Sequence, residues 1–291
     1  MKIGYRRLAG KIKLGTDESG TRGAWWEKRR ALMAALGARG HSVHIMSGPA
    51  ECDLLLIEFG SSNEKFYGTD LATTRAVIEL HAGPVAYVCD DPDLPLPKWD
   101  CAKRVRLWRN ATRVWGEGGQ SDVSFGALLP QLDPVPAEDQ RWLYAGRPDG
   151  LRGRKVAEML DAGAPLVVMG RADEWSKFGI RTVAPPPQPM RHSVYKQFVG
   201  MLGMSDAKHK RLGWRTGRVQ HAVAAGIPAL VEDGHPGFGN AYPKFGNAAE
   251  AVKMMTRYTD PVERMLLLES QRAAMRKDRV LLDEALEAMA S

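Results

Sequence analysis

Cysteine is scarce in this chain: three in 291 residues, at Cys52, Cys89 and Cys101. Their spacing fits neither a zinc site nor a disulfide framework, which argues against a stapled secreted scaffold. Free thiols in a reducing cytoplasm are the expectation. No apolar run approaches the roughly 18–20 residues that a membrane span requires. The opening MKIGYRRLAG carries no apolar signal core. G-x-G-x-x-G is missing, so the chain lacks a dinucleotide fingerprint. Neither a solenoid-period repeat nor a low-complexity tract is visible.

What is present is an ordinary globular composition with an unusual charge. Hydrophobic residues make up 44% and charged residues 26%, normal for a soluble protein. The length suits one large or two medium domains. The net charge of +7 and pI near 9.3 favour a polyanionic partner or an anionic substrate.

Along the chain, apolar runs of strand length alternate with helical patterns. Met1 to Tyr5 reads as a strand, followed by the polar, Gly-rich loop GTDESGTRG and a helix over Ala24 to Ala38. Ser42 to Met46 alternates like a strand, and DLLLIEF at 53–59 is a buried one. Thr69 to His81 is helical, and Val85 to Cys89 is the next strand, leading into Asp90-Asp91-Pro92-Asp93. Residues 103–115 interleave basic side chains with Trp108 and Trp115. The Pro-rich PQLDPVP at 130–136 marks a linker. A second set follows: strands over Arg141 to Ala145 and Pro165 to Met169, with a helix over Arg154 to Ala162 between them. Tyr195 to Met201 is either a short helix or a strand. Ala248 to Tyr258 is helical, and Pro261 to Ala290 reads as one or two long amphipathic helices. Alternation of this kind builds parallel sheets with crossover helices. The expected fold is α/β: two Rossmann-like domains facing a cleft, over residues 1–133 and 137–262, with a helical segment at 263–291.

The stretch Lys208 to Gly234 carries the strongest chemical signal. It runs from a basic, Gly-punctuated loop into a helix that Gly226 stops, then into the apolar strand Ile227 to Val231. A helix N-terminus beside Arg215 and Arg218 suits an anion, because free N–H groups and the helix dipole add to the side-chain charge. A diphosphate cradle is one interpretation; a solvated basic loop before a packing helix is the other.

LYAGRPDGLRGRKVAEML, PLVVMGR and RVQHAVAAGIPALVEDG resemble the second, nucleotide-sugar-binding domain of GT-B glycosyltransferases. GTDESGTRG and RRALMAALGARGHSV resemble the acceptor domain's Gly-rich loop, helix and strand. The size and basic charge resemble the phage DNA glucosyltransferases within that group. This resemblance implies transfer of a sugar from a nucleotide-sugar, UDP-glucose, to a hydroxymethylated pyrimidine in double-stranded DNA. It implies direct displacement without a metal or bound cofactor, in a cytoplasmic monomer. It assigns the donor to Gly146, Arg147, Arg154, Gly170, Arg171, Arg215, Thr216, Gly217, Arg218, His221 and Glu232. One departure stands out: the family pattern has Glu, which holds the donor ribose, where this chain has His221. Either His221 takes that contact, or Glu232 or Asp233 supplies the carboxylate.

Glycosyl transfer needs cations on the leaving diphosphate and a base for the acceptor hydroxyl. The base candidates are Asp90, Asp91 and Glu18, expected at the carboxyl ends of N-terminal strands. Phosphate contacts to DNA are expected from Arg6, Arg7, Lys11, Lys13 and Arg22, with Arg106 and Arg109 as a second cluster. His81 and His192 show no partner and are expected to be structural. The alternatives are a GT-B enzyme acting on a small-molecule, lipid or polysaccharide acceptor, and a non-catalytic nucleic-acid-binding α/β protein.

Overall fold

The structure, a computed structural model, describes residues 1–8, 25–45, 51–59, 68–89, 105–109, 120–122, 129–186, 190–207, 210, 216–235 and 237–290. The chain divides into two compact units: Met1–Leu128 with Asp278–Ser291, and Leu129–Lys277.

Unit 1 holds β1 (Lys2–Leu8), α1 (Trp25–Ala38), β2 (Ser42–Ile45), β3 (Leu54–Phe59), α2 (Gly68–Leu80), β4 (Val85–Cys89), β5 (Val105–Arg109) and β6 (Gln120–Asp122). The strands form one sheet in the order β2-β1-β3-β4-β5-β6, every pairing parallel. Leu54 to Ile57 are fully buried, as expected of a parallel strand covered on both faces. α2 contributes Val77 and Ile78 to the core and also buries the hydroxyl of Thr74. Part of the basic-aromatic stretch at 103–115 is thus a sheet strand, β5, paired on both sides. Cys52 is a free, half-buried thiol whose pKa burial pushes up. Its Sγ lies 3.8 Å from Nδ1 of His81.

Unit 2 holds β7 (Asp139–Ala145), α3 (Gly150–Asp161), β8 (Leu166–Met169), α4 (Ala172–Trp175), α5 (Arg191–Tyr195), β9 (Phe198–Gly203), α6 (Gly217–Ala224), β10 (Ala229–Glu232), β11 (Lys244–Phe245), α7 (Ala248–Arg257) and most of α8 (Pro261–Ala290). Its sheet runs β11-β10-β9-β7-β8, again parallel throughout. Tyr195 to Met201 therefore divides: α5 closes at Tyr195 and β9 opens at Phe198.

One face of this sheet packs Trp142, Tyr144 and Val168 against Trp175 of α4 and against α3 and α7. Trp142 is fully buried and donates from Nε1 to the carbonyl of Met255 at 3.0 Å, so the indole pairs its one donor without leaving the core. The other face packs Leu143, Met201, Ala222 and Ala225.

The units divide at 128/129 rather than after 133. Leu132 N donates to Ala224 O at 2.7 Å, and Arg272 donates to Leu132 O, which ties this segment to unit 2. Gly226 helps: its φ of +94° turns the chain out of α6, and a Cβ there would lie 3.1 Å from Pro134 Cα. Residues 263–291 are not a separate segment either. α8 is one helix whose first part belongs to unit 2 and whose last belongs to unit 1.

Candidate functional site

In unit 2 the chain goes from β7 to β8 on one side of the sheet and then to β9 on the other. The carboxyl ends of β7 and β9 are therefore a topological switch point, where open α/β sheets hold ligands. The helices that follow β7 and β9, the two strands of the switch point, differ at their N-termini. α3 is capped by Asp149, whose Oδ1 accepts from Leu151 N at 3.1 Å and Arg152 N at 2.7 Å. A carboxylate already occupies that helix end. α6 is preceded by Thr216, whose side chain makes no cap bond; its Oγ1 lies 3.4 Å from His235 Nε2 instead. The N–H groups of α6 thus keep their capacity for an anion.

Arg218 stands in the first turn of α6 and reaches the end of β7, where Nη1 donates to Ala145 O at 2.7 Å. This contact explains Gly146. A Cβ at that position would fall 2.1 Å from Arg218 Nη1, well inside contact distance. Gly170 has a similar cause: a Cβ would meet Trp175 Nε1 at 2.4 Å and Gly146 O at 2.8 Å. Trp175 Nε1 donates to that same Gly146 carbonyl at 3.0 Å. Both glycines, expected as donor contacts, have a packing reason for lacking a side chain.

The remaining arginines of this half differ in placement. Arg152 is buried, paired with Asp149 at 2.8 Å and 3.6 Å from Asp206 just past β9. Arg147 is exposed, 3.7 Å from Glu174. Arg171 is exposed and committed to Asp173 by two hydrogen bonds, of 3.2 and 2.8 Å. Arg154 is exposed on α3. Arg215 lies outside the described residues.

Glu232 ends β10 and is 2% exposed. Its carboxylate is paired with Lys155 of α3 and with Lys210 at 3.2 Å. Two lysines compensate the buried charge, which alone would be costly. His221 is buried on α6, with Nδ1 2.9 Å from His192 Nε2. At that separation one ring donates and the other accepts, so the two share a proton. Burial, with Arg191 adding to it, holds the His192 pKa below 6.5. His192, read as lacking a partner, therefore has one. His221 is an interior residue tied to α5, and Glu232 is a buried carboxylate at the carboxyl end of β10. Asp233 is exposed and accepts from Gly234 N at 2.9 Å.

Sequence reasoning missed the Lys155–Glu232–Lys210 group and the two-histidine contact. Their partners lie 77 and 29 positions apart, and no local spacing announces them.

In unit 1, Arg6 needs correction as a nucleic-acid contact. It is 4% exposed and donates from Nε to Thr74 Oγ1 at 2.7 Å, so it belongs to the interior of that unit. Arg7 lies on β1, and Arg106 and Arg109 lie on β5. Glu18, Asp90, Asp91, Lys11, Lys13 and Arg22 lie outside the described residues. Among the described residues there is no group of three or more potential metal ligands. No described helix is long and apolar enough to cross a membrane.

Two units, each a parallel sheet interleaved with helices, define a GT-B fold. Solved structures make the likeness particular. The DNA-modifying enzyme β-glucosyltransferase, solved with and without uridine diphosphoglucose, is 14% identical at a TM-score of 0.65; the match covers 98% of this chain and 99% of that one. An α-glucosyltransferase with UDP-glucose and DNA containing an abasic site is 9% identical at a TM-score of 0.66, with 100% of both chains covered. An α-glucosyltransferase with UDP and a 13-mer DNA containing an HMU base is 10% identical at 0.69, again over 100% of both. No family model matches the chain, and no curated protein matches it by sequence.

Proposed function

We propose that the protein is a glycosyltransferase that moves glucose from UDP-glucose to a hydroxymethylated pyrimidine in DNA. The observation that carries this reading is Arg218: a guanidinium anchored at the switch point, in the first turn of a helix whose N-terminus has no side-chain cap. Such a group suits a diphosphate, because the fork of an Arg gives directional, charge-assisted bonds. Its remaining N–H groups and the helix dipole stabilise the leaving UDP as charge develops on it. Of the two carboxylates weighed for the ribose, Glu232 is buried and held by two lysines, which leaves the exposed Asp233 just past β10 as the one a ribose can reach. The full-length likeness to glucosyltransferases solved with UDP-glucose and with DNA supports the choice of donor and acceptor. The net charge of +7 favours a polyanionic acceptor.

The reaction is a direct displacement. A carboxylate (Asp90, Asp91 or Glu18) takes the proton of the acceptor hydroxymethyl group, and that oxygen attacks the anomeric carbon as the bond to UDP breaks. Duplex DNA would have to present its base flipped out of the stack.

The test is incubation with labelled UDP-glucose and DNA containing hydroxymethylcytosine or hydroxymethyluracil, followed by mass spectrometry of the digested DNA. A hexose-bearing nucleoside is expected. Arg218→Ala should abolish it while the protein stays folded. Hydrolysis of UDP-glucose without a DNA product would move the acceptor to another class. Wild-type transfer by Arg218→Ala would remove the diphosphate role.

A further inference from the structure

Arg218 stands on the Ala145 carbonyl, and its guanidinium leaves no room for a side chain at the next residue. Position 146 is therefore glycine, the residue whose backbone fixes itself least. The bond from Arg218 to Ala145 O keeps its geometry only if that glycine is held from elsewhere.

Two bonds hold it. Gly146 N donates to Met169 O at 3.0 Å, which ties the Ala145–Gly146 peptide to the end of β8. That N–H and the carbonyl under Arg218 belong to one planar unit, so fixing one orients the other. Trp175 Nε1 donates to Gly146 O at 3.0 Å and fixes the next peptide. Trp175 is itself immobile: it is fully buried in α4. The rings of Tyr144 and Phe178 meet its indole edge-on, at centroid separations of 5.6 and 6.3 Å, a favoured geometry for aromatic pairs.

An indole has one donor, and a carbonyl anywhere in the core would satisfy it. Trp142 makes the comparison. It is fully buried in the same cluster and donates to Met255 O, also at 3.0 Å. The two indoles are alike in burial and in bond length. They differ in what they hold: Trp142 a carbonyl of α7, Trp175 the turn beneath Arg218.

We infer that Trp175 is a positioning residue for the sugar donor: its indole N–H fixes the Gly146 carbonyl, and with it the Ala145 carbonyl on which Arg218 stands to meet the diphosphate. This inference rests on the diphosphate role of Arg218 proposed above. A tryptophan that only packed would affect stability and leave donor affinity alone.

The test is calorimetric titration with UDP of the full chain, of Trp175→Phe and of Trp142→Phe, with urea denaturation of each. Both substitutions keep an aromatic ring and remove a buried donor, so both lower the urea midpoint. Only Trp175→Phe is expected to weaken UDP, by about tenfold, the worth of one hydrogen bond. Trp142→Phe binds UDP as the wild type does. In an Arg218→Ala background, Trp175→Phe should cost no further affinity. In the wild type, the Trp175 indole N–H resonance, assigned through its contacts with the Tyr144 ring, shifts on addition of UDP, and the Trp142 indole does not. The inference is overturned by any of four results: wild-type UDP affinity in Trp175→Phe, equal weakening by the two variants, a further loss in the Arg218→Ala background, or an unmoved Trp175 indole. If Trp175→Phe does not fold, the wild-type resonance still decides. Undiminished UDP binding by Arg218→Ala is a separate failure: it removes the diphosphate role itself, and this inference with it.

Discussion

Gly146→Ala isolates the contact on which the donor site depends. The substitution adds one methyl group, and Gly146 is not among the residues of positive φ, so alanine fits the backbone without strain. The new Cβ would lie 2.1 Å from Arg218 Nη1, 3.1 Å from its Cζ and 3.2 Å from Tyr144 OH. The flexible partner is the arginine, which must swing off Ala145 O and break the 2.7 Å bond. A bond from a charged donor is worth about 1.5–3 kcal/mol; because Arg218 is half-exposed, the lower end applies. Replacing Gly by Ala returns about 0.4–1 kcal/mol through the unfolded chain. Net destabilisation is therefore about 1 kcal/mol, and the fold survives. Donor affinity suffers more, because a displaced guanidinium no longer meets the diphosphate: about 10- to 100-fold in Kd for UDP. Urea denaturation gives the first quantity and calorimetric titration with UDP the second. A double-mutant cycle sharpens the result, since Gly146→Ala in an Arg218→Ala background should cost no further affinity. Undiminished UDP binding by Gly146→Ala, or an unchanged extra cost in the double variant, would refute the assignment.

Three further outcomes are expected. Glu232→Gln removes the partner of two lysines; since their side chains are 29% and 34% exposed, water softens the loss to about 1–2 kcal/mol. Urea midpoints for wild type and variant check this. The His192 imidazole has its pKa lowered on folding, so the unfolded chain binds more protons than the folded one as pH falls. Stability is fully present above 6.5 and declines as pH falls through the folded pKa. Thermal melts from pH 8 to pH 5 should show that decline, and His192→Phe should flatten it. Asp90→Asn or Asp91→Asn, whichever removes the base, should cut glucosyl transfer at least about 100-fold while leaving UDP affinity unchanged. Weakened UDP binding in the variant that loses transfer would argue for a donor-side role instead.

Much of the architecture was legible because parallel strands, buried on both faces, write themselves as short apolar runs. Leu54 to Ile57, Leu166 to Met169 and Ala229 to Val231 are such runs, and each is a buried strand. Gly226 was readable as a helix stop, and its positive φ is the reason. The order of strands was not readable, since nothing in a strand's own residues names its neighbours. The two residues of β11 are too few to carry a pattern. At the site, Arg218 was visible as part of a basic helix start. Its hydrogen bond to Ala145, 73 positions away, was not, so Gly146 and Gly170 read as donor contacts when they also make room for Arg218 and Trp175. His221 drew attention as a departure from a family pattern. Its meaning depends on His192, which only the packing of α5 against α6 brings near.

One side chain in α8 has a consequence beyond its own bonds. Gln271 is fully buried, accepting from Ala229 N at 2.9 Å and donating to Ala229 O at 2.7 Å. Because β11 pairs only with Val231 and Glu232, the start of β10 would otherwise present an unpaired donor and acceptor. Buried groups of that kind are costly when they lack a partner. The glutamine amide, shaped like a peptide group, pairs both from within the same chain. Gln271 thus spares the interior two buried, unpaired backbone groups, and a side chain of α8 does for β10 what a longer β11 would have done.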